Sequence, residues 1–382
     1  MNEKKIKQLF LAKRLILVTI ILYIVVFFMM NSPYLTVDNV RRVFFSFSKA
    51  ITDKQADLGN ILNFAEDKKN CFGIYKDGLV ILSQKSLTVY DKDFYEISSY
   101  NVNLREPVLK ISDDYIVCFD RGSSDLYVTD SFNILHSMTF NDSIINVAVS
   151  DNGYLAVITD SFGYKGMVTV LNKDFEIIYK WSSSSHYLVD TVFSSNEIIS
   201  VISVISEKEK LNTVVYKINF NTGKELNVYV AEDRFPVSVE KKNDNSIEII
   251  TDNDIISIRG DGYNILYKYG QMPINIFMQD EKNTIISKIA DATSRQFIVE
   301  AINEVGKLRF TKNFIEVKSI CCFYDVYLVL AENILYVIDN TGTVIYSEEV
   351  TSGANKVIAN RNIALVIGSN FAEKVNIFSV LT

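Results

Sequence analysis

The sequence predicts an all-β fold, a β-propeller of four-stranded blades preceded by one N-terminal transmembrane helix. Three observations predict it. A turn pair followed by a short apolar run returns about every forty residues along the chain. Runs of period-two apolar residues separated by Asn, Asp and Gly fill the intervals. One long apolar stretch with basic flanks stands before the first repeat. Periods of roughly 40 to 45 residues with several strands each are the signature of propeller blades.

The repeat opens with Asp77-Gly78-Leu79-Val80-Ile81-Leu82, then Asp113-Asp114-Tyr115-Ile116-Val117-Cys118 and Asn152-Gly153-Tyr154-Leu155-Ala156-Val157-Ile158. It recurs at 196–202, 245–250, 283–289, 325–330 and 361–367. Counting this strand predicts eight blades, with seven as the alternative if one run is over-read. The second unit spells out a full meander, with strands at 107–111, 115–119, 126–130 and 134–140, and the third repeats it at 144–149, 154–159, 167–171 and 177–181. Asp151-Asn152-Gly153, Asn221-Thr222-Gly223, Asp261-Gly262 and Asn340-Thr341-Gly342 supply tight turns, because Asn, Asp and Gly tolerate the dihedrals that hairpins need. The last unit offers strands at 357–359, 363–367 and 375–380 and then stops one short. The segment 59–64, ahead of the first unit's opening strand at 71–75, is expected to supply the missing strand and close the ring, covering edges that would otherwise pair with other chains.

The predicted organisation is a basic cytoplasmic tail at 1–14, a membrane-spanning helix at 15–32, a juxtamembrane amphipathic segment at 33–57 and the propeller at 58–382. Residues 15–30 are apolar except for Thr19, and with Lys13 and Arg14 snorkelling the run is long enough for a hydrocarbon core of about 30 Å. Leu15, Ile20, Tyr23 and Phe28 represent this anchor. Lys4, Lys5, Lys7, Lys13 and Arg14 precede it, which keeps the N-terminus in the cytoplasm and puts the propeller outside the cell membrane. A cleaved signal peptide is the competing reading. The residues after the run lack an A-x-A-like site, which favours an uncleaved anchor. Val37, Val40, Val43, Phe44 and Phe47 then recur at helical spacing, the pattern of a helix that either lies in the lipid interface or packs on the propeller base.

A net charge of −7 argues against nucleic acid as a partner, since phosphate binding needs concentrated Lys and Arg. Four cysteines, Cys71, Cys118, Cys321 and Cys322, are too few and too poorly spaced for a disulfide framework or a zinc site, and read as small buried hydrophobes. Alternation along a strand points the adjacent Cys321 and Cys322 to opposite faces. His136 and His186 are the two histidines. His186 precedes Asp190 in a Ser-rich stretch, but without a G-x-S-x-G elbow it reads as a polar connection between strands. Asp252-Asn253-Asp254 and Asp261-Gly262 lack the calcium-loop pattern and read as turns. Asn221-Thr222-Gly223-Lys224-Glu225 and Asn340-Thr341-Gly342-Thr343-Val344 resemble the turn of quinoprotein-type repeats, without the blade-docking tryptophan, so no cofactor is expected. No catalytic or metal-binding motif is present. The loop Ser161-Phe162-Gly163-Tyr164-Lys165-Gly166 carries two aromatics between strands and is the candidate contact loop, with Phe162, Gly163, Tyr164 and Lys165 as its residues.

Leu35-Thr36-Val37-Asp38-Asn39-Val40-Arg41-Arg42, Phe119-Asp120-Arg121-Gly122 and the stretch from Gly163-Tyr164-Lys165-Gly166-Met167-Val168-Thr169-Val170 to Tyr179-Lys180-Trp181 resemble the domain-of-unknown-function family 5711. The resemblance spans nearly the whole chain, is strongest over 37–181, and beyond Trp181 rests on general blade pattern, of the kind WD-type repeats also show. It implies a bacterial single-pass protein with an extracytoplasmic propeller and transfers no catalytic residues. The expected function is a binding or scaffolding module of the cell envelope, with an envelope protein or glycan as partner. The alternative is a propeller hydrolase or lyase with carboxylates at the channel mouth.

Overall fold

The computed structural model describes residues 18–19, 36–52, 59–150, 152–242, 246–260, 262–270 and 272–377 of the 382. The expected membrane-spanning helix at 15–32, with Leu15, Ile20, Tyr23 and Phe28, lies outside these residues apart from Val18 and Thr19. Among the described residues no helix is long and apolar enough to cross a membrane. The chain divides into two compact units, Met1–Asp57 and Leu58–Thr382.

In the first unit a helix, α1 (Val37–Thr52), forms where the apolar spacing predicted one. Thr36 caps it: the Asn39 N–H donates to Thr36 Oγ1 at 3.2 Å, satisfying one of the donors that a helix start leaves free. Asp38 in the first turn and Lys49 in the last complement the helix dipole. Val37, Val43, Phe44 and Phe47 are all exposed.

The second unit is a ring of eight four-stranded antiparallel sheets, so the eight-blade count holds and the seven-blade alternative falls. Blades 1 to 7 are consecutive meanders over 71–101, 107–139, 144–183, 187–231, 236–268, 274–315 and 317–349. Blade 8 takes three strands from the C-terminal end, Lys356–Ala359, Ala364–Ile367 and Phe371–Lys374, and its fourth, Ile61–Asn63, from before blade 1. Leu62 pairs with Ala372, and the Phe64 N–H donates to the Asn370 carbonyl at 2.9 Å. The expected closure is therefore formed, but with a shifted third strand. The apolar alternation had suggested 375–380. A tight turn with a Gly368 N–H to Phe371 carbonyl bond returns the chain earlier, and Val375 and Ile377 follow the strand as buried core. Residues 378–382 lie outside the description.

The outer strand of each of blades 1 to 7 carries a β-bulge, one or two residues after its start except in blade 5, where it falls at Leu266 near the strand's end. In several blades a recurring turn precedes it. The side-chain oxygen of Asp91, Asn172, Asn303 or Asp339 accepts the N–H groups two and four residues on. The fourth residue of this turn has positive φ, at Phe94, Phe175, Gly306 and Gly342. Asx side chains close such turns locally and leave the strands free to pair.

Eight apolar clusters fill the eight gaps between neighbouring blades. Alternation sends successive residues of one strand to different gaps: Val117 and Phe119 face blade 3, while Ile116 and Cys118 face blade 1. Cys321 and Cys322 part in the same way, toward blades 8 and 6. Burial raises the Cys118 thiol to about 12 and that of Cys321 to about 11, so both stay protonated in the core.

The gap between blades 5 and 6 is different. Its apolar cluster has five fully buried members, and charges complete it. Lys242 and Glu248, each 1% exposed, pair at 3.1 Å. Lys242 Nζ also donates to the carbonyls of Asp280 and Asn283, and Glu248 accepts from Gln279 at 2.9 Å and from Thr284. Nearby, Lys288 pairs with Glu300 at 2.8 Å, and Tyr267 of blade 5 donates to Glu300 at 2.6 Å.

Two outcomes follow from these contacts. Lys242→Met strands the Glu248 carboxylate in the core and is expected to cost about 3–5 kcal/mol by urea denaturation, while a Lys242→Met, Glu248→Met double variant recovers about half of that or more. Leu62→Asp puts a charge into the closing strand's apolar contact, and calorimetry should read a loss of about 2–3 kcal/mol.

Candidate functional site

The opening strand of each blade lines the axis of the ring. In blades 3 to 7 this strand carries a β-bulge at its second or third residue, at Ile145, Val189, Val237, Asn275 and Lys318. A bulge re-aims the side chains that follow it. In blades 3 and 4 those are Asn146 and Asp190, each accepting the N–H of the next residue, at 2.9 Å from Val147 and 2.8 Å from Thr191. Asn146 Nδ2 also donates to Asp190 Oδ1 at 2.8 Å, joining the two strands.

Two cavities lie along these strands. One of about 250 Å³ is lined by Arg121, Asn146, Asp190 and Ser238 among others. The second, about 260 Å³, is lined by Ser150, Ser195, Asn196, Glu240 and Glu281 among others. Glu240 follows Ser238 by two positions and shares its strand, Pro236–Lys241. Burial pushes the Glu240 carboxyl up to about 7, with Lys242 and Lys110 opposing and Asp190 and Glu281 adding to the rise. Burial also raises the Asp190 carboxyl, against Lys110, the Thr191 N–H, Arg121 and Asn146. The channel thus confines carboxylates and cations together.

None of this channel set was among the sequence's candidates. The available signal was a charged or amide side chain at the centre of an otherwise apolar opening strand, as in Pro107-Val108-Leu109-Lys110-Ile111 and Ile144-Ile145-Asn146-Val147. Asp190 drew notice only for its distance from His186. The structure makes His186 part of the connection between blades 3 and 4, where its N–H donates to Ser183 Oγ at 3.0 Å and its ring meets the Tyr216 hydroxyl.

The candidate contact loop joins the second and third strands of blade 3. In an up-and-down meander this connection emerges on the same face as the links between blades, which is also where the opening strands begin. Phe162 is 98% exposed and Tyr164 is 52% exposed. Gly163 has φ +83°, a left-handed conformation that a β-carbon would strain. Lys165 Nζ donates to the Tyr187 hydroxyl at 2.8 Å and lies 4.4 Å from that ring's centroid, so two blades share the loop's base. Exposed Tyr187, Leu211, Phe235 and Val237 extend the apolar character over the same face of blades 4 and 5. The Asp252-Asn253-Asp254 turn belongs to this face as well. Its carboxylates are engaged, Asp254 by Arg234 at 2.7 Å and Asp252 by the Phe235 N–H at 2.8 Å.

The raised Glu240 carboxyl has a definite consequence for stability. Between its ordinary value of 4.5 and about 7 the native state holds a proton that the unfolded chain has released, so stability falls as pH rises through that window and stays lower above it. Glu240→Gln is expected to raise stability at pH 8, by at most about 3 kcal/mol, and to leave it unchanged at pH 4, as read by thermal unfolding at both values.

Solved propellers share this architecture at low identity. The C-terminal WD40 domain of Sif2 superposes with a TM-score of 0.59 at 12% identity, over 84% of this chain and 98% of that one. The Dos1 propeller gives 0.57 at 13%, covering 82% and 93%. BamB from Moraxella catarrhalis gives 0.52 at 11%, covering 82% and 98%. These likenesses establish the fold. No curated protein matches the chain in sequence. The family of unknown function DUF5711 matches residues 25–377, from before α1 to the last described residue, and the chain belongs to that family.

Proposed function

We propose that this protein is a binding or scaffolding module of the bacterial cell envelope, held at the membrane by residues 15–32 with its N-terminus in the cytoplasm and its propeller outside. The observation that carries the binding role is the fully exposed Phe162 beside Tyr164 and Lys165, on a face where Tyr187, Leu211, Phe235 and Val237 are also exposed. Aromatic side chains on a rigid base contribute most to protein interfaces, because they bury large areas while losing little conformational freedom. The partner is an envelope protein or glycan that lays an apolar or aromatic-stacking surface on blades 3 to 5. The apolar run at 15–30 with its basic N-terminal flank supports the anchor, and the exposed apolar stripe of α1, close behind it in sequence, suits a helix lying in the lipid interface.

One observation favours a second reading. Two carboxyl groups with raised pKa values, Asp190 and Glu240, act on one another in the channel, as a propeller hydrolase or lyase would require of its acid and base.

Crosslinking in intact cells and purification of a tagged copy test the first reading. A triple variant with Phe162→Ala, Tyr164→Ala and Lys165→Ala should retain at most about a tenth of the partner recovered by the parent protein. Undiminished recovery by the folded variant would remove this face from the account. Flotation with membranes that survives alkaline wash checks the anchor separately.

A further inference from the structure

The connection from blade 4 to blade 5 is a rigid step on the face that carries the contact loop. The Arg234 N–H donates to the Leu211 carbonyl at 2.8 Å and the Asp233 N–H to Asn212 Oδ1 at 3.0 Å, which ties residues 232–235 to the hairpin between the second and third strands of blade 4. The Phe235 N–H donates to Asp252 Oδ1 at 2.8 Å and Asn253 Nδ2 to the Asp233 carbonyl at 2.9 Å, which ties the same residues to blade 5. Arg234 completes the fastening with its 2.7 Å ion pair to Asp254. The blade 4 hairpin continues past the start of its opening strand, at Tyr187 opposite Val204, through the pairs Ile205–Asn212, Ser206–Leu211 and Glu207–Lys210. In blade 5 the turn from Thr251 to Asp254 closes level with the start of the opening strand, at Pro236 opposite Thr251. The additional pairs of blade 4 therefore raise a wall of about 10 Å beside the step.

Leu211 on this wall and Phe235 and Val237 on the step are 47%, 40% and 49% exposed, an apolar surface at the junction of the two blades. Carboxylates stand around it. Glu207, Glu209 and Glu232 are exposed, and among the described residues none of them forms an ion pair. The neighbouring cations are taken, Lys210 by Asp233 at 3.2 Å and Arg234 by Asp254, with Lys208 as the exception. We propose that the step receives a basic, partly apolar segment of a polypeptide partner, its apolar side chains on Leu211, Phe235 and Val237 and its Lys or Arg head groups at Glu207, Glu209 and Glu232. Charge selects this occupant over the others. A second copy docked through the same face would set carboxylates against carboxylates, and an anionic glycan would be repelled. Lys and Arg suit the surface because their aliphatic stems lie on apolar groups while the charged end reaches a carboxylate, and an Arg guanidinium also stacks on the Phe235 ring.

This inference rests on the binding role proposed above and specifies the partner's chemistry within it. The step adjoins the contact loop, whose Lys165 bonds Tyr187 where the opening strand of blade 4 begins. Its backbone is fastened to both blades before a partner arrives, so docking orders few of this protein's own groups.

The test places the photo-crosslinking amino acid p-benzoylphenylalanine at Phe235 in one strain and at Phe162 in another, in the full chain within intact cells, and identifies the adducts by mass spectrometry. The adduct at Phe235 is expected to be a peptide whose linked segment carries more Lys and Arg than Asp and Glu. Combining Glu207→Lys, Glu209→Lys and Glu232→Lys should lower its yield about tenfold or more. Reversing the exposed Asp113 and Asp114, in a turn on the opposite face, should leave the yield unchanged. A glycan or an acidic peptide at Phe235 overturns the inference, as does a yield that the triple reversal does not lower while the variant keeps the parent Tm. An adduct at Phe162 with none at Phe235 overturns it and leaves the binding role standing. No adduct at either position removes both.

Discussion

Each blade of this ring is a four-stranded sheet with two apolar faces, and neither face is stable in water. Alternation along the strands forces this, because residues such as Val117 and Ile116 point to opposite sides and both are fully buried. One neighbour covers one face, so an open row would always leave two faces bare, one at each end. Closure into a ring removes both, and everything else in the structure depends on it. Ile61–Asn63 performs that closure by pairing with Phe371–Lys374, which ties segments from opposite ends of the propeller chain into one sheet.

Closure also creates the axis. Eight opening strands converge there, and their inward side chains have no opposing sheet to pack on, so polar and charged residues are tolerated at positions where the inter-blade gaps demand Val, Ile or Leu. The bulges near the starts of five of these strands turn that tolerance into an arrangement, setting Asn146 against Asp190 at hydrogen-bond distance. The gap between blades 5 and 6 solves the packing problem in another way, with the buried ion pairs Lys242–Glu248 and Lys288–Glu300. Such a joint is less forgiving than an apolar one, since the loss of either partner leaves a charge in the core.

The two candidate sites differ in kind for the same reason. The loop of Phe162 to Lys165 stands on the rim, free of the packing that governs the blades, and its exposed rings are available to a partner. The channel groups sit on rigid strands and are confined, which alters their proton affinities and restricts what can reach them. A rigid body with a variable rim and a polar axis can host either use, and the low-identity likeness to other propellers speaks to that body alone.

The repeat, its strands and the closing segment were legible in the sequence, because blade turns use Asn, Asp and Gly at fixed offsets and buried strands use uninterrupted apolar runs. All eight second strands fall where the turn pairs such as Asp77-Gly78 and Asn152-Gly153 placed them. The shift of the final strand from 375–380 to Phe371–Lys374 was not legible, since the alternation after Lys374 is as regular as that of a strand, and the tertiary turn at Gly368 decides between them. The loop at 162–165 announced itself by unusual composition. Lys110, Asn146, Asp190 and Glu240 did not, being single polar residues in strands spread over more than a hundred positions. Local chemistry writes turns and strands into the sequence residue by residue. Which side chains meet at the axis follows only from ring closure and from bulges that rotate a strand, and those are properties of eight blades packed together.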